Sequence, residues 1–259
     1  MDPFYEICAE FYDDDYDALG RAEDVPFYVE LAREAGGTVL EMGCGSGRVT
    51  LPVARAGIEV VAVDASSAML GRLRAHLAAE SSAVARRVEV VAGDIRSLDL
   101  GRRFPLVIAP FRVVQHLVSR SDQRAWLRAV ARHLEPGGEL VFDVFQPDYD
   151  YLVQPAAGSL DVERSDSDTG CTIRRFSSAH HTPAEQTFTV RVEWHVEEPG
   201  GASYQEHAAE TTVRWFTRYE LENLLELEGY EILDLWGDFD RTPFGPEASE
   251  QIVRARRAQ

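Results

Sequence analysis

Residues 39–48, VLEMGCGSGR, join a short apolar strand to a glycine-rich turn and decide how the rest of the chain is interpreted. Gly43, Gly45 and Gly47 let the backbone turn sharply and approach a ligand closely. The helix predicted after the turn offers free backbone N–H groups to an anionic ligand group. A strand, a glycine turn and a helix in this order are the context that a nucleotide-type site requires.

The spacing of the glycines disfavours NAD as the ligand. The dinucleotide fingerprint is G-x-G-x-x-G/A, and its last small residue packs the helix against the strand. Counted from Gly43, that sixth position is Arg48. The stretch instead reads E-x-G-x-G-x-G, and the carboxylate of Glu41 suits a ligand with a positive amine better than a pyrophosphate. An NAD-dependent oxidoreductase on a related fold is therefore a disfavoured alternative.

Short apolar strands alternate with amphipathic helices from Thr38 to Phe145. Repeated β-α units with nearly continuous apolar strands predict a parallel sheet that is covered by helices on both faces. Pro52 falls in the helix after the glycine turn, so this helix is expected to be kinked or to start late. The strands are predicted at residues 38–42, 58–63, 88–92, 104–109 and 139–145.

The segments on either side of this region differ in character. Residues 1–37 are acidic and aromatic and end in a predicted helix over residues 25–35, with Asp24 as its candidate N-cap. Residues 146–170 carry prolines and glycines and are predicted to be loop. The other predicted elements are a three-stranded antiparallel meander over 171–181, 186–197 and 202–216, a helix over 217–229, and strands over 230–236 and 251–257.

The charge of the chain limits its partners. It has 44 acidic and 26 basic residues and a formal net charge of −18, so phosphate backbones and anionic lipid headgroups should repel it. We therefore expect neither nucleic acid nor a membrane as a partner. All 26 basic residues are arginine, which excludes a Schiff-base lysine and the Gly-Lys-Ser/Thr phosphate-binding loop.

The cysteines and histidines show no metal signature. Cys8, Cys44 and Cys171 include no C-x-x-C pair, and His180 and His181 would face opposite sides of a strand. We expect no metal. Sparse cysteines fit a reducing cytoplasm, the start of the chain lacks the pattern of a signal peptide, and no apolar stretch approaches the ~20 residues of a membrane helix.

Together with the motifs that follow it, the glycine stretch resembles the class I S-adenosylmethionine (SAM)-dependent methyltransferases. The resemblance covers residues 38–145 closely, together with the final helix and strands. It implies SAM as the cofactor and S-adenosyl-L-homocysteine (SAH) as its product. The matching features are Asp64 at the end of strand two, Ala65–Leu70 that resembles a D-x-S-x-x-M-L run, Gly93-Asp94-Ile95 after strand three, Ala109-Pro110-Phe111-Arg112 at the end of strand four, and Leu134-Glu135-Pro136-Gly137-Gly138 before strand five.

The resemblance also implies roles for individual residues. Asp64 is expected to hold both ribose hydroxyls, Met69 to pack near the adenine, and Asp94 to accept from the exocyclic amine of the adenine. Arg48 is a candidate partner of the SAM carboxylate. The expected cofactor-binding residues are Tyr16, Glu41, Gly43, Cys44, Gly45, Arg48, Asp64, Ala65, Met69, Gly93, Asp94, Ile95, Pro110 and Phe111.

The fold that the resemblance implies is a Rossmann-like seven-stranded sheet in the order 3-2-1-4-5-7-6, with strand seven antiparallel, helices on both faces and the β-meander inserted before the last helix. In related enzymes a Tyr-Asp near the start closes over SAM, and Tyr16 is the best match, with Tyr12 second. The insertion is expected to act as a substrate lid or as the surface of a homodimer. The expected divisions are an N-terminal helical lid segment (1–37), a SAM-binding core (38–145), the β insertion (146–216) and the C-terminal part of the core (217–259).

Methyl transfer from a sulfonium is an in-line displacement, so the protein mainly has to hold the nucleophile near the methyl carbon. An oxygen nucleophile usually also needs a base, whereas an amine needs only to arrive deprotonated. His116 is the candidate base, and a structural histidine is the alternative. Tyr12, Arg112 and Gln115 are candidate substrate contacts, with a salt bridge as the alternative role of Arg112.

The sequence therefore predicts a SAM-dependent methyltransferase that acts on N or O of a small molecule without a metal. The alternative is a non-catalytic SAM-binding scaffold or sensor. A nucleic-acid methyltransferase is disfavoured by the charge and because residues 109–112 read APFR rather than N/D-P-P-Y/F.

Overall fold

The structure is a computed structural model that describes residues 3–20, 22–148, 156–167, 169–201 and 203–258. It consists of two compact units, each built from two separate stretches of chain. We call residues 23–147 with 214–259 the core unit, and residues 1–22 with 148–213 the insertion unit.

The core unit is built on a seven-stranded sheet whose order is β10-β11-β5-β4-β1-β2-β3. The first five strands are parallel, and β11 is antiparallel to both of its neighbours. With β10 and β11 counted as strands six and seven, the predicted order and the predicted antiparallel strand are confirmed. The strands are β1 (Val39–Met42), β2 (Val60–Asp64), β3 (Val88–Ala92), β4 (Phe104–Ala109), β5 (Leu134–Phe145), β10 (Tyr230–Trp236) and β11 (Glu250–Arg257).

Local signals explain where several helices of the core unit begin and end. The hydroxyl of Ser66 accepts a 3.2 Å hydrogen bond from the Met69 amide and caps α5, and Ser119 caps α7 in the same way. Gly36 ends α3 in a left-handed conformation. The helices are α3 (Asp24–Ala35), α4 (Thr50–Arg55), α5 (Ser67–Ala79), α6 (Ser82–Ala85), α7 (Arg120–His133) and α8 (Arg218–Leu227).

Three boundaries test expectations drawn from the sequence. Helix α4 starts late, at Thr50, so Pro52 lies in its first turn, where a missing N–H costs nothing. The prediction that Asp24 caps α3 is wrong, because the helix already includes Asp24. Strand β5 begins at Leu134 rather than Glu139, since Leu134 already pairs with Phe104 of β4, before an irregularity in the register.

Apolar residues of the strands pack on both faces of the sheet. On one face Trp126 of α7 contacts Phe142 of β5, with an edge-to-face ring separation of 5.3 Å. On the other face Phe27 of α3 contacts Trp236 of β10 at 5.5 Å. Each fully buried aromatic or aliphatic side chain of this kind contributes about 1.5–3 kcal/mol to folding. These two apolar layers leave the loops at the ends of the strands available for ligands.

The insertion unit combines two short N-terminal helices with a four-stranded sheet in the order β6-β7-β8-β9. The side chains of Cys8 and Phe11 pack on Ile173, Val192 and Trp194. The elements are α1 (Phe4–Cys8), α2 (Tyr12–Ala18), β6 (Ala156–Ser165), β7 (Thr172–Thr182), β8 (Thr187–Glu197) and β9 (Tyr204–Arg214).

The insertion therefore has four strands, and the prediction that residues 146–170 are entirely loop is wrong for β6. This strand lies at the edge of the sheet, and its Leu160 is half exposed, so its apolar alternation is weak. Gly158 also lowers its apparent strand propensity. Residues 149–155 of the same predicted loop lie outside the described residues. In the part of the chain that the structure describes, no helix has the length and apolarity to cross a bilayer.

Candidate active site at the carboxyl edge of the sheet

The carboxyl ends of the parallel strands meet at one edge of the core sheet. Met42 at the end of β1 pairs with Val63, and Ala109 at the end of β4 pairs with Phe142. Glu250 at the start of the antiparallel β11 pairs with Phe145 at the end of β5. The loops after β1, β2, β4 and β5 and the first residue of β11 therefore occupy the edge where ligands of open α/β sheets bind.

The glycine turn after β1 is shaped by close packing. The amides of Gly43 and Cys44 both donate to the carbonyl of Val63, at 2.8 and 3.0 Å. Gly43, Gly45 and Gly47 all have positive φ, which costs other residues energy. A Cβ at Gly43 would lie 2.5 Å from a methyl group of Val113. The close packing and the positive φ angles therefore require glycine in this turn, and we call residues 43–47 the glycine cradle.

Asp64 at the end of β2 is fixed next to this turn. One carboxylate oxygen accepts a 2.9 Å hydrogen bond from the Gly45 amide, and the other accepts a 2.8 Å bond from the Ser66 amide. These two donors set the direction of the carboxylate. A fixed carboxylate is a suitable acceptor for the two hydroxyls of a ribose.

The predicted adenine-side residues also flank the turn. Met69 is buried, and its terminal methyl group would be 3.2 Å from a Cβ at Gly45. Gly93 donates its amide to the Asp64 carbonyl at 2.9 Å, which links the loop after β3 to β2. Asp94 forms an ion pair with Arg96, so its predicted contact to an amine would have to compete with this pair. Ala65 is exposed and Ile95 is half-buried.

Glu41 is buried in β1 below the turn and accepts a 2.6 Å hydrogen bond from the Thr50 hydroxyl. Burial raises the pKa of this carboxyl to about 8, although the Thr50 bond and the charge of Arg48 oppose the shift. A cationic group bound nearby would favour the ionised form. Burial also raises the pKa of the neighbouring Cys44 thiol, which is therefore not an activated nucleophile.

Arg48 follows the glycine turn and makes a two-pronged ion pair with Asp24 of α3, with both N–O distances at 2.6 Å. Its guanidinium also lies 4.3 Å from the centre of the Phe111 ring. The expected contact of Arg48 with the SAM carboxylate stays a prediction. Asp24 orients the guanidinium and occupies two of its donors.

The loop after β4 is anchored on β5. The amides of Phe111 and Arg112 donate to the two carboxylate oxygens of Asp143, at 2.8 and 2.9 Å. The phenol of Tyr28 donates a third bond of 2.6 Å to the same carboxylate. Burial, with the nearby Glu250 and Asp24 charges, raises the pKa of Asp143 to about 7, and the hydrogen bonds oppose this shift.

The remaining predicted residues of this loop have partners within the core unit. Pro110 is buried, and Arg112 forms an ion pair with Glu250 and lies over the Phe145 ring. The Gln115 amide donates to the Arg214 carbonyl at 2.9 Å and accepts from the Phe145 amide at 3.1 Å. Gln115 therefore stabilises the loop with both ends of its side chain. His116 is half-buried and ends a short 3-10 helix over Val113–His116.

Tyr12 and Tyr16 belong to α2 in the insertion unit. Their rings are in contact, with centroids 4.5 Å apart. The role of Tyr12 as a substrate contact and that of Tyr16 as a cofactor contact stay predictions. The roles of the other site residues also stay predictions. Within the described residues, no group of three or more His, Cys, Asp or Glu side chains is arranged to hold a metal ion, and metal-free chemistry also stays a prediction.

Four residues of this edge were not anticipated as site residues: Asp24, Tyr28, Asp143 and Glu250. Their partners are distant in sequence; Tyr28 and Asp143 are 115 positions apart, and Arg112 and Glu250 are 138 apart. A usable signal exists only for Asp143, which is a single acidic residue inside the apolar run LVFDVF. A buried charge in a strand interior requires partners, so it marks a functional or structural network.

Part of the chain is similar to known methyltransferases. Residues 39–138 match a family described as "Methyltransferase domain". The chain is 35% identical over 143 residues to the cypemycin N-terminal methyltransferase of a Streptomyces species, a match that covers 55% of this chain and 56% of that protein. Both matches support a class I SAM-dependent methyltransferase. The chain thus matches little more than half of the length of this curated relative.

Solved structures agree with this methyltransferase fold. The CcbJ methyltransferase from Streptomyces caelestis superposes with a TM-score of 0.75 and 28% identity, over 92% of this chain and 94% of that chain. SAM-bound CalS10, an amino pentose methyltransferase from Micromonospora echinaspora, superposes with a TM-score of 0.71 at 22% identity, over 96% of this chain and 97% of that one. The second likeness shows the fold alone.

SAM is the cofactor of this methyltransferase family, and the residues at the edge fit it. Gly43 and Gly47 pack closely against Val113 and Leu73, which fixes the shape of the turn beside Asp64. The Asp64 carboxylate suits a pair of ribose hydroxyls, and the buried Glu41 carboxyl suits an ammonium group. These two carboxyl groups match two chemical parts of SAM, namely the ribose and the amine.

Proposed function

We propose that this methyltransferase transfers the methyl group of SAM to a nitrogen atom of a small molecule. The observation that carries the proposal is the Asp64 carboxylate, which two backbone amides hold at the carboxyl end of β2 beside the glycine cradle. An oxygen acceptor and a non-catalytic SAM-binding role are the alternatives that the experiment below separates.

The electrostatics of the edge support a nitrogen acceptor. Four carboxyl groups among the described residues there are buried, those of Asp24, Glu41, Asp143 and Glu250. Arg48 and Arg112 pair with two of them. The other two, Glu41 and Asp143, have pKa values raised to about 8 and about 7, so a cation bound nearby would favour their ionised forms. The edge therefore suits an amine better than a phenolate or a carboxylate, for which it offers no unpaired buried arginine among these residues.

SAM, when bound, supplies a methyl group on a positively charged sulfur. The residues of the chain have to align the acceptor nitrogen with that methyl group and keep water away. Phe111 lies in the loop after β4, beside the glycine turn, and we propose that it lines the reacting centre. We propose His116 as the base that takes the proton which an ammonium acceptor loses before its lone pair can react.

The names of the relatives point to the same acceptor chemistry. The curated relative methylates an N-terminus, and one structural neighbour is a methyltransferase of an amino pentose. We extend only the common element to this chain, a primary or secondary amine on a small molecule or short peptide.

The first test is calorimetric titration of the purified protein with SAM, SAH and NAD. Asp64→Asn should weaken SAH binding by about ten- to a hundredfold, because it removes a charge-assisted acceptor. Asp99→Asn is the matched control. Asp99 also accepts a hydrogen bond from the backbone amide of the residue two positions on, Gly101, but it lies in an exposed loop. We expect this control to bind like the wild type.

The second test is transfer to acceptors, detected by mass spectrometry as the gain of one methyl group. The panel contains amino sugars and peptides with free N-termini, with phenols as the oxygen-acceptor arm. Transfer only to phenols would contradict the nitrogen acceptor. SAM binding without transfer to any acceptor would favour the scaffold or sensor, and NAD binding without SAM binding would refute the methyltransferase site.

Two further predictions concern the state of the protein. We propose a homodimer through the insertion, whose four-stranded sheet ends in the edge strands β6 and β9, and native mass spectrometry tests this. We also propose a cytoplasmic location, because Cys8, Cys44 and Cys171 are buried free thiols.

A further inference from the structure

Two consecutive residues of the loop after β4 have an unusual backbone conformation. Phe111 has a φ of 60° and Arg112 a φ of 65°, and neither is glycine. Each such residue costs about 1–2 kcal/mol relative to an ordinary conformation. They follow β4 directly, at the edge where the glycine turn and Asp64 lie. Some other part of the core unit must therefore hold the loop in this shape.

Asp143 in the middle of β5 supplies the holding contacts. Its two oxygens accept the amides of Phe111 and Arg112 separately, at 2.8 and 2.9 Å, and its side chain is 1% exposed. Successive amides that converge on one anion form a concavity with a defined shape. The buried carboxylate therefore selects the left-handed loop, because an extended loop would turn at least one amide away from it.

Helix α3 reinforces the same loop from two positions four residues apart. Tyr28 is fully buried and donates its phenol to the Asp143 oxygen that also binds the Phe111 amide. Asp24 holds Arg48, whose guanidinium stacks on the Phe111 ring at 4.3 Å. The backbone and the ring of Phe111 are therefore both fixed by contacts that begin on one face of α3.

We propose that Asp143 is a positioning residue of the methyltransferase site, which acts by holding Phe111 and Arg112 in the left-handed conformation, with Tyr28 as its partner. The proposal rests on the proposed function for the part of it that concerns the cofactor. Asp143 and Tyr28 are both buried, so in this proposal they act on the reactants only through the loop that follows β4.

The test compares Asp143→Asn and Tyr28→Phe with the wild type and with Tyr230→Phe. Tyr230 is the matched control, since it is a buried tyrosine whose phenol makes one 2.6 Å bond, to the Leu127 carbonyl. One readout is hydrogen exchange of the Phe111 and Arg112 amides, followed by NMR. The other is the affinity for SAH, measured by calorimetry.

Asp143→Asn should speed exchange at both amides by about tenfold or more and weaken SAH binding by about tenfold, because Asn has one acceptor oxygen in place of the two that now each bind one amide, and no negative charge. Tyr28→Phe should move both quantities in the same direction by less. Tyr230→Phe should lower the melting temperature as Tyr28→Phe does, with exchange at residues 111 and 112 and SAH affinity unchanged.

Each other outcome is decisive. Unchanged exchange in both variants, or an equal rise in Tyr230→Phe, would overturn the proposal, and Tyr28→Phe decides alone if Asp143→Asn does not fold. Faster exchange with unchanged SAH affinity would reject the positioning role while leaving Asp143 as an anchor of the loop. If the wild type does not bind SAH, the proposed function fails. The hydrogen-exchange measurement then still tests whether Asp143 holds the loop after β4.

Discussion

The phenol of Tyr28 donates a 2.6 Å hydrogen bond to Asp143, a residue 115 positions further along the chain. The bond joins α3 to the middle of β5 beneath the proposed active site. Four residues earlier on the same helix, Asp24 binds Arg48 after the glycine turn. One helix outside the matched family segment thus supports two loops at the edge of the sheet.

Asp24 and Arg48 are expected to act as a unit on the cofactor. Arg48→Ala and Asp24→Asn should each weaken SAH binding, and the double variant should be no worse than the poorer single one, with a coupling energy of about 1–3 kcal/mol. Calorimetric titration of the four proteins measures this. Arg55→Ala on α4 is the control, because Arg55 is 56% exposed in its ion pair with Glu80. Additive losses would show that Arg48 acts without Asp24.

Gly47 should tolerate a methyl group far less well than Gly57. Both have a φ near 95°, but a Cβ at Gly47 would lie 2.4 Å from the Leu73 side chain, and a Cβ at Gly57 would meet nothing within 4 Å. Gly57→Ala should cost about 1 kcal/mol of backbone strain, and Gly47→Ala about 2–4 kcal/mol because overpacking is added. Urea denaturation measures both, and equal costs would contradict the close packing of the turn.

Stability should depend on the protonation of Glu41. The pKa of the Glu41 carboxyl is about 8 in the folded protein, against 4.5 for an ordinary glutamate as in the unfolded chain. Between these two values the folded state keeps a proton that the unfolded state has lost. Stability from this group is therefore greatest below pH ~4.5 and is lost as the pH rises to about 8. Glu41→Gln removes this loss, so the variant should gain stability relative to the wild type between pH 5 and 8.5, by roughly a few kcal/mol.

Thermal denaturation across this pH range tests the prediction for Glu41. Glu59→Gln is the matched control, because Glu59 also accepts a threonine hydroxyl, that of Thr38, but lies at the exposed surface. The difference between this control and the wild type should change far less with pH. A Glu41→Gln curve parallel to the wild type would show that Glu41 is ionised throughout.

Asp15 should carry much of the stability of the insertion unit. It is 2% exposed, accepts a 2.7 Å bond from the Trp194 indole, and lies within 3.5 Å of Arg164 and Arg175. Asp15→Ala should cost about 2–4 kcal/mol, because it leaves two half-buried cations and an indole N–H without this acceptor. Hydrogen exchange of residues 3–20 reports the loosening.

The neighbouring Asp14 provides the control for Asp15. It pairs with Arg164 at 3.1 Å, but its side chain is 54% exposed. Asp14→Ala should change stability by less than about 1 kcal/mol. If both variants loosened the N-terminal helices equally, the buried cluster would not be what holds them.

The strands of the core sheet could be predicted from local patterns, whereas their order followed from the family resemblance. Apolar runs bounded by turns gave β1 to β5, and the LEPGG and GCGSG turns supplied the family resemblance. Strand β6 escaped prediction because it is an edge strand whose Leu160 faces solvent, so its pattern resembles that of a loop.

The network under the site could not be predicted from local pattern. Asp24 looked like a helix cap because Asp often caps helices, and only the tertiary fold shows that it pairs with Arg48. Asp143, Tyr28 and Glu250 make contacts between segments more than 100 residues apart. Sequence spacing carries no information about such pairs without the fold.

The order in which the chain is synthesised has a consequence for how it folds. The N-terminal helices pack on Trp194, and the Asp15–Trp194 bond spans 179 positions. Strand β5 also stays without its outer neighbour until β11, the last strand, is made. Neither unit can therefore complete its fold until late parts of the chain are synthesised. We expect slow folding, with apolar surface exposed on the ribosome. C-terminal truncations should aggregate rather than yield a smaller folded domain.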